Sequence, residues 1–408
     1  METAVERSVA RSWEMYDAAQ KVIPLGTQTH SKAPREALRG VEPCYLVRGD
    51  GCRVWDADGN EYIDFRNGLG PITLGYRFPE VDKAVRKQLE SGIIFSYPHP
   101  LEIEVAQRLV EVLPCADRVR FLKTGGEAMA AAHRLSRAFT ERELILTCGY
   151  HGWVNTMARG GVPEATRKTY IAMPWGDIGP YAEAFEASTG EIAAVSVACA
   201  YAEVEQGRSF LRELRALTEQ HGAVLIFDEI VTGFRLRRAG AQEYFGVVPD
   251  LAVFAKGLSN GVPLSCFVGK ADVMEKVKDC VVSSTFGGDT LGLAAARAVL
   301  DVYDREDVIG ALWKRGEKLH DGFNEYGERL GLPVRFVGAH PVGQLVFDRP
   351  DAARLFLRFN EEVLKRGIIV YSVCYTNFSH TEADIDEAVR AMGEALEAMA
   401  IEGLFDRG

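Results

Sequence analysis

Four short segments of this chain carry residue types able to do chemistry, and each follows a short apolar run. After Val119–Leu122 comes Lys123-Thr-Gly-Gly-Glu127. A small-residue turn such as Thr124-Gly125-Gly126, leading into a helix-favouring stretch, exposes backbone N–H groups at the positive end of a helix and can seat a phosphate. A plain strand-to-helix connection has the same appearance. After Leu144–Cys148 comes Gly149-Tyr150-His151-Gly152-Trp153. An aromatic between glycines can lie flat on a planar ligand, or simply cover the core. After Val224–Phe227 comes Asp228-Glu-Ile-Val-Thr-Gly-Phe-Arg235. A carboxylate at the end of a buried strand is costly to desolvate without a cationic or protonated partner, though it can also cap a helix. After Leu251–Ala255 comes Lys256-Gly-Leu-Ser-Asn-Gly261. Lysines are rarely buried; a partly desolvated one loses basicity and its amine can form a Schiff base, whereas a surface lysine would be inert.

Taken singly, each segment has a bland explanation. Together they match one cofactor. Pyridoxal phosphate needs an amine for its aldehyde, a carboxylate for its pyridine nitrogen, a phosphate seat and something flat on the ring.

The elements that must hold these segments are legible from periodicity. Pro79–Ser91, Leu101–Leu113 and Ser209–His221 carry apolar residues at helical spacing, the last through Phe210, Leu211, Leu214 and Leu217. The apolar runs, together with Ile192–Ala198, alternate with these stretches, as expected for an α/β domain with a buried parallel sheet. In such a sheet ligands bind beyond the carboxyl ends of the strands, where all four segments fall. Arg53–Phe65 reads as a hairpin about Asp58-Gly59. After residue 304 the texture changes. Helices are expected at Val308–Leu330 and Asp351–Arg366, strands at Val334–Val337, Gln344–Phe347 and Ile368–Val370, and a last helix from Thr381 with Asp384 in a capping-box position. We therefore expect a large domain at 66–304 and a smaller α+β domain built from 1–65 and 305–408.

Composition narrows the class. The 408 residues suggest two to three domains at about 150 residues each. Hydrophobic residues at 47% rule against disorder, and a net charge of −11 rules against a nucleic-acid binder. No apolar run approaches the roughly 20 residues of a membrane span, and the charged start lacks a signal-peptide core. Eight scattered cysteines without a CxxC pair read as reduced thiols of a cytoplasmic protein, and the histidines show no zinc spacing.

From about Trp13 to Asp386 the chain resembles class III aminotransferases of the fold-type I pyridoxal-phosphate enzymes, in the branch with glutamate-1-semialdehyde aminomutase. The resemblance rests on Val54–Phe65, Thr124–Ala128, Tyr150–Gly152, Phe227–Arg235, Pro249-Asp250 leading to Lys256, and Ser284–Gly288. It implies a mainly parallel seven-stranded sheet flanked by helices. It also implies Lys256 as the Schiff-base lysine and proton carrier, Asp228 on the pyridine nitrogen, and Tyr150 and Ile230 on the two ring faces. Thr124, Gly125, Gly126 and His151 would complete the cofactor contacts, and Thr285 would reach the phosphate of the neighbouring subunit in an obligate homodimer.

The chain departs from the pattern in places. Gly126 replaces a threonine, Lys123 an asparagine, and Ala198-Cys199 a Glu-Pro. Gly26-Thr-Gln-Thr-His-Ser-Lys32 puts a lysine where the aminomutase has its carboxylate-binding arginine, and Leu69 stands in place of a tryptophan. The segment is more similar to sugar-directed members, including those of aminoglycoside pathways. The expected activity is transamination from an amino donor to an aldehyde or ketone, with an aminosugar as acceptor. The alternatives are an epimerase or aminomutase, for which Cys374 or Tyr375 is a candidate second acid/base, and an inert binding protein on the same fold, against which the retained Lys256, Asp228 and Tyr150 argue.

Overall fold

A seven-stranded sheet forms the centre of the larger unit in the computed structural model, which describes residues 7–154 and 160–405. Along the chain it is built from β1 (Arg118–Leu122), β2 (Leu144–Cys148), β3 (Tyr170–Ala172), β4 (Ile192–Ala198), β5 (Val224–Asp228), β6 (Leu251–Phe254) and β7 (Ser265–Gly269). The spatial order is β1-β7-β6-β5-β4-β2-β3. The pairs from β6 through β3 are parallel, while β7 runs antiparallel to both β1 and β6. Every residue of β5, β6 and β7 is buried, which is why these strands read as unbroken apolar runs rather than alternating ones.

Helix α1 (Gly125–Thr140) buries Ala128, Met129, Ala132 and Leu135 against Ile145, Ile226, Val253 and Phe267 of the sheet. Helix α2 (Gly207–His221) buries Phe210, Leu211 and Leu214 and ends at Gly222, whose φ of +62° supplies the left-handed cap. β3 and β7 are not separately signalled by the apolar runs. β3 is only three residues long, and β7 follows the glycine-rich loop too closely to stand out.

The smaller unit comprises Met1–Leu69, Leu74–Phe78 and Gly310–Gly408; the larger comprises Gly70–Thr73 and Pro79–Ile309. The expected borders at 65/66 and 304/305 differ from these by a few residues. Leu74–Phe78 belongs to the smaller unit because Tyr76 exchanges backbone hydrogen bonds with Gly51 (2.7 and 2.9 Å) and donates its hydroxyl to Asp64 (2.6 Å). The hairpin about Gly59 pairs Arg53–Asp56 with Glu61–Asp64, and Ile368–Ile369 adds a parallel strand. A three-stranded sheet joins Val334–Val337, Val342–Phe347 and Val373–Tyr375. Phe323, Phe336, Phe347, Phe359 and Leu396 lie in the core of this unit. Its last helix, Glu382–Ile401, opens on a full capping box between Thr381 and Asp384. Among the described residues no helix is long and apolar enough to cross a membrane, and all eight cysteines are free thiols.

Candidate active site

The four signalled segments meet in the larger unit, at the carboxyl ends of its strands. Glycine makes two of the approaches feasible. A Cβ on Gly125 would lie 2.4 Å from Ile230 Cδ1, and one on Gly152 would lie 2.7 Å from Gly126 Cα. The start of α1 is thereby packed against the loop after β5 and the loop after β2. Thr124 caps α1, its hydroxyl accepting from Glu127 N (3.3 Å), while the Glu127 carboxylate reaches back to the Thr124 amide (3.5 Å). The Gly125 and Gly126 amides occupy the first helical positions, which have no intrahelical acceptor. This is a cradle for an anion, set by backbone alone.

Asp228 ends β5 and is almost fully buried. His151 Nδ1 lies 2.8 Å from Asp228 Oδ2, and Ile230 N donates to Oδ1 (3.1 Å). The other imidazole nitrogen lies 3.3 Å from Ser196 O, so acceptors hold the ring from both sides. A carboxylate offers about four lone-pair positions, and two partners leave room for a further donor such as a protonated ring nitrogen. His151 therefore stands behind Asp228, at 3% exposure. Tyr150, its neighbour in sequence, is 61% exposed.

Lys256 follows β6 in a positive-φ conformation (+43°) that a side-chain-bearing residue adopts only at a cost. Its amine is pushed down to about 8, chiefly by burial. Asp228 pulls in the opposite direction, and Arg235 pushes it further down. A buried amine close to neutrality is a nucleophile rather than an inert surface cation. Thr285 and its neighbour Phe286 are exposed in the segment before the helix Thr290–Arg305.

Lys123 donates to Pro263 O (3.0 Å) and pairs with Asp289 at 3.3 Å. It thus ties the phosphate-loop strand to the 284–289 segment. Of the two acids after β5, Glu229 performs the helix-capping role: fully buried, it accepts from Ala241 N (2.7 Å) and Gln242 N (2.9 Å), and from the Thr232 hydroxyl. Burial raises its carboxyl to about 7.

Cys374 does not suit the acid/base role considered for it. It is buried in the core of the smaller unit, its thiol donates to Tyr371 O (3.3 Å), and burial pushes its pKa up to about 12. Tyr375 is also buried. Arg235 closes the motif Phe227–Arg235, whereas His133 and Ser196 carry no sequence signal of their own. Arg235 is 1% exposed and donates to Gly70 O (2.7 Å). His133, on the buried face of α1, meets the His151 ring edge-on at 6.2 Å. Its Nε2 and the Ser196 hydroxyl are buried without a hydrogen-bond partner, and burial holds the imidazole well below its ordinary pKa. Helical spacing marks His133 as inward-facing, but nothing in the sequence places it beside His151.

The family model described as aminotransferase class-III matches residues 37–396. A 3-aminobutyryl-CoA aminotransferase from Cloacimonas acidaminovorans (strain Evry) is 31% identical, over 96% of this chain and 98% of its own. A glutamate-1-semialdehyde 2,1-aminomutase from Syntrophobacter fumaroxidans (strain DSM 10017 / MPOB) is 32% identical, over 94% and 97%. The solved FumI protein of Sphingopyxis sp. MTA144, in its PLP internal aldimine form, superposes with a TM-score of 0.90 at 28% identity over 97% of both chains. With its family model matched over most of its length and the fold of such enzymes, this chain belongs to the class-III aminotransferases.

Proposed function

We propose that the chain uses pyridoxal 5′-phosphate to move an amino group from an amino donor to the aldehyde or ketone of a small polar acceptor, an aminosugar. The observation that carries the reading is Lys256: a half-buried lysine at a strand end, its amine lowered to about 8 by desolvation, in the electrostatic field of Asp228. When bound, the cofactor supplies an aldehyde that takes up amines and a cationic ring that stabilises negative charge on the amine-bearing carbon.

The chain's own residues do the rest. Lys256 anchors the cofactor and then moves a proton from the amine-bearing carbon of the substrate to the carbon that carried the aldehyde oxygen. Asp228, steadied by His151, keeps a proton on the ring nitrogen. Gly125 and Gly126 donate backbone N–H groups to the phosphate, Thr124 fixes their helix start, and Tyr150 and Ile230 cover the ring faces. Thr285, exposed beside the 59% exposed Phe286, reaches the cofactor phosphate of a second copy in a homodimer. The Gly26–Lys32 segment and the net charge of −11 favour a polar, amine-bearing acceptor. The free thiols favour a cytoplasmic setting.

The similarity to aminomutases supports a second reading, isomerisation at an amine-bearing carbon. A panel of donors and acceptors in deuterated buffer separates the two. Transamination requires a donor and releases one oxo product per turnover. Deuterium entering a recovered or isomerised amine with no donor present would overturn it in favour of the isomerase. Visible cofactor absorbance that disappears in Lys256→Ala excludes an inert binding protein.

A further inference from the structure

We propose that His133 and Ser196 hold one internal water behind the His151–Asp228 pair, and that His133 is thereby a positioning residue for the acid that faces the cofactor. The role of Asp228 comes from the function proposed above, and this inference rests on it.

The sheet and α1 bring the groups together. Ser196 on β4 stands in register with Ile226 on β5, as Ala198 does with Asp228. Strand residues in register share a face, and Ile226 lies in one core cluster with Met129 and Ala132 of α1. His133 is one turn beyond Met129 on the buried side of that helix, at 2% exposure. Its ring meets that of His151 edge-on at 6.2 Å and that of Tyr170 at 5.5 Å. Ser196 O lies 3.3 Å from His151 Nε2. Helix and strand thus reach the same imidazole, one with a ring and the other with a carbonyl.

Each also brings a polar atom that lacks a partner. Among the described residues His133 Nε2 and Ser196 Oγ are buried with no hydrogen-bond partner. Two such atoms around one imidazole are uncommon, because a buried donor or acceptor left unpaired keeps its full desolvation cost. Burial, with the charges of His151 and Arg137, holds His133 well below its ordinary pKa. Its ring is therefore neutral, with one donor and one acceptor nitrogen, and the serine hydroxyl can play either part. A buried water takes about two to four polar partners, and this pair supplies two. His151 is already committed, with Nδ1 at Asp228 and Nε2 at Ser196 O. The water acts on it by fixing the His133 ring and the Ser196 side chain, which wall the imidazole and so hold the angle of the Asp228 carboxylate.

A high-resolution crystal structure of the full-length protein is expected to show an ordered water within hydrogen-bond reach of both His133 Nε2 and Ser196 Oγ. A site without that water overturns the proposal, and this arm needs no variant. Calorimetric titration with pyridoxal phosphate tests the positioning role. His133→Phe keeps a ring without nitrogens, and Ser196→Ala removes one oxygen. Each is expected to weaken cofactor binding about fivefold, the net contribution of one hydrogen bond, with the fold intact by circular dichroism. Because both act through one water, the double variant is expected to bind no more weakly than either single one, whereas losses that multiply overturn the shared water. His133→Gln restores a hydrogen-bonding group and is expected to bind the cofactor more tightly than His133→Phe. Equal affinities would reduce His133 to packing and overturn its positioning role. A wild type that binds no pyridoxal phosphate would overturn the functional reading instead, and the crystal structure would still decide the water.

Discussion

His151 Nδ1 lies 2.8 Å from Asp228 Oδ2 in the buried centre of the larger unit. The contact links the loop after β2 to the end of β5, so the acid proposed to face the cofactor is positioned by a side chain from another loop. A hydrogen bond to a charged group contributes about 1.5–3 kcal/mol, or roughly 10- to 100-fold. His151→Phe is expected to weaken cofactor affinity and lower kcat by that factor, with the fold preserved by circular dichroism. Unchanged cofactor affinity would mean that Ile230 N alone orients Asp228.

Lys256 offers a direct pH readout. In cofactor-free protein, the rate of reductive trapping of its amine with a small aldehyde is expected to rise with an apparent pKa of about 8 rather than the ordinary lysine value. Because the Asp228 charge raises this pKa, Asp228→Asn is expected to lower it further. An unchanged or higher value in that variant would remove the Asp228 charge as a source of the remaining basicity. Lys256→Ala is expected to lose both the trapping and the turnover.

The fit of Gly125 against Ile230 predicts a paired effect. Gly125→Ala places a methyl 2.4 Å from Ile230 Cδ1, which overpacking places at about 1–3 kcal/mol. Ile230→Val removes that terminal carbon, so the double variant is expected to recover part of the loss in Tm and cofactor affinity. Strictly additive losses would place the damage in the helix cap instead.

Glu229 makes stability depend on pH with an unusual sign. Its folded carboxyl keeps a proton to about 7, while the unfolded chain releases it near 4.5. Between those values the folded state binds more protons, so this group's contribution is full below about 4.5 and is lost as pH rises through 7. Glu229→Gln cannot accept from both Ala241 and Gln242 with its amide nitrogen. It is expected to cost about 1–3 kcal/mol and to flatten the stability profile over that window. Urea midpoints from pH 4.5 to 7.5 measure both effects, and a variant profile parallel to wild type would remove Glu229 as their source.

Much of the larger unit was readable because its strands are buried on both faces. β1, β2, β4, β5 and β6 coincide with the apolar runs read from the sequence, and the four chemical segments follow β1, β2, β5 and β6. The short β3 and the late β7 escaped because three residues, or five beside a glycine-rich loop, carry no period. The placing of Leu74–Phe78 in the smaller unit depends on Tyr76 pairing with Gly51, a contact between residues 25 apart that no local pattern encodes.

By itself, the sequence determined the chemical vocabulary of this protein: a lysine, an acid, an aromatic and a glycine turn, each at a strand end. Residue type and apolar run length suffice for that. Only the tertiary structure decided how those groups serve. It set His151 behind Asp228, gave helix capping to Glu229 rather than Asp228, and closed Cys374 into the core. Each of these outcomes turns on burial and on partners distant in the chain, and both are properties of the folded arrangement.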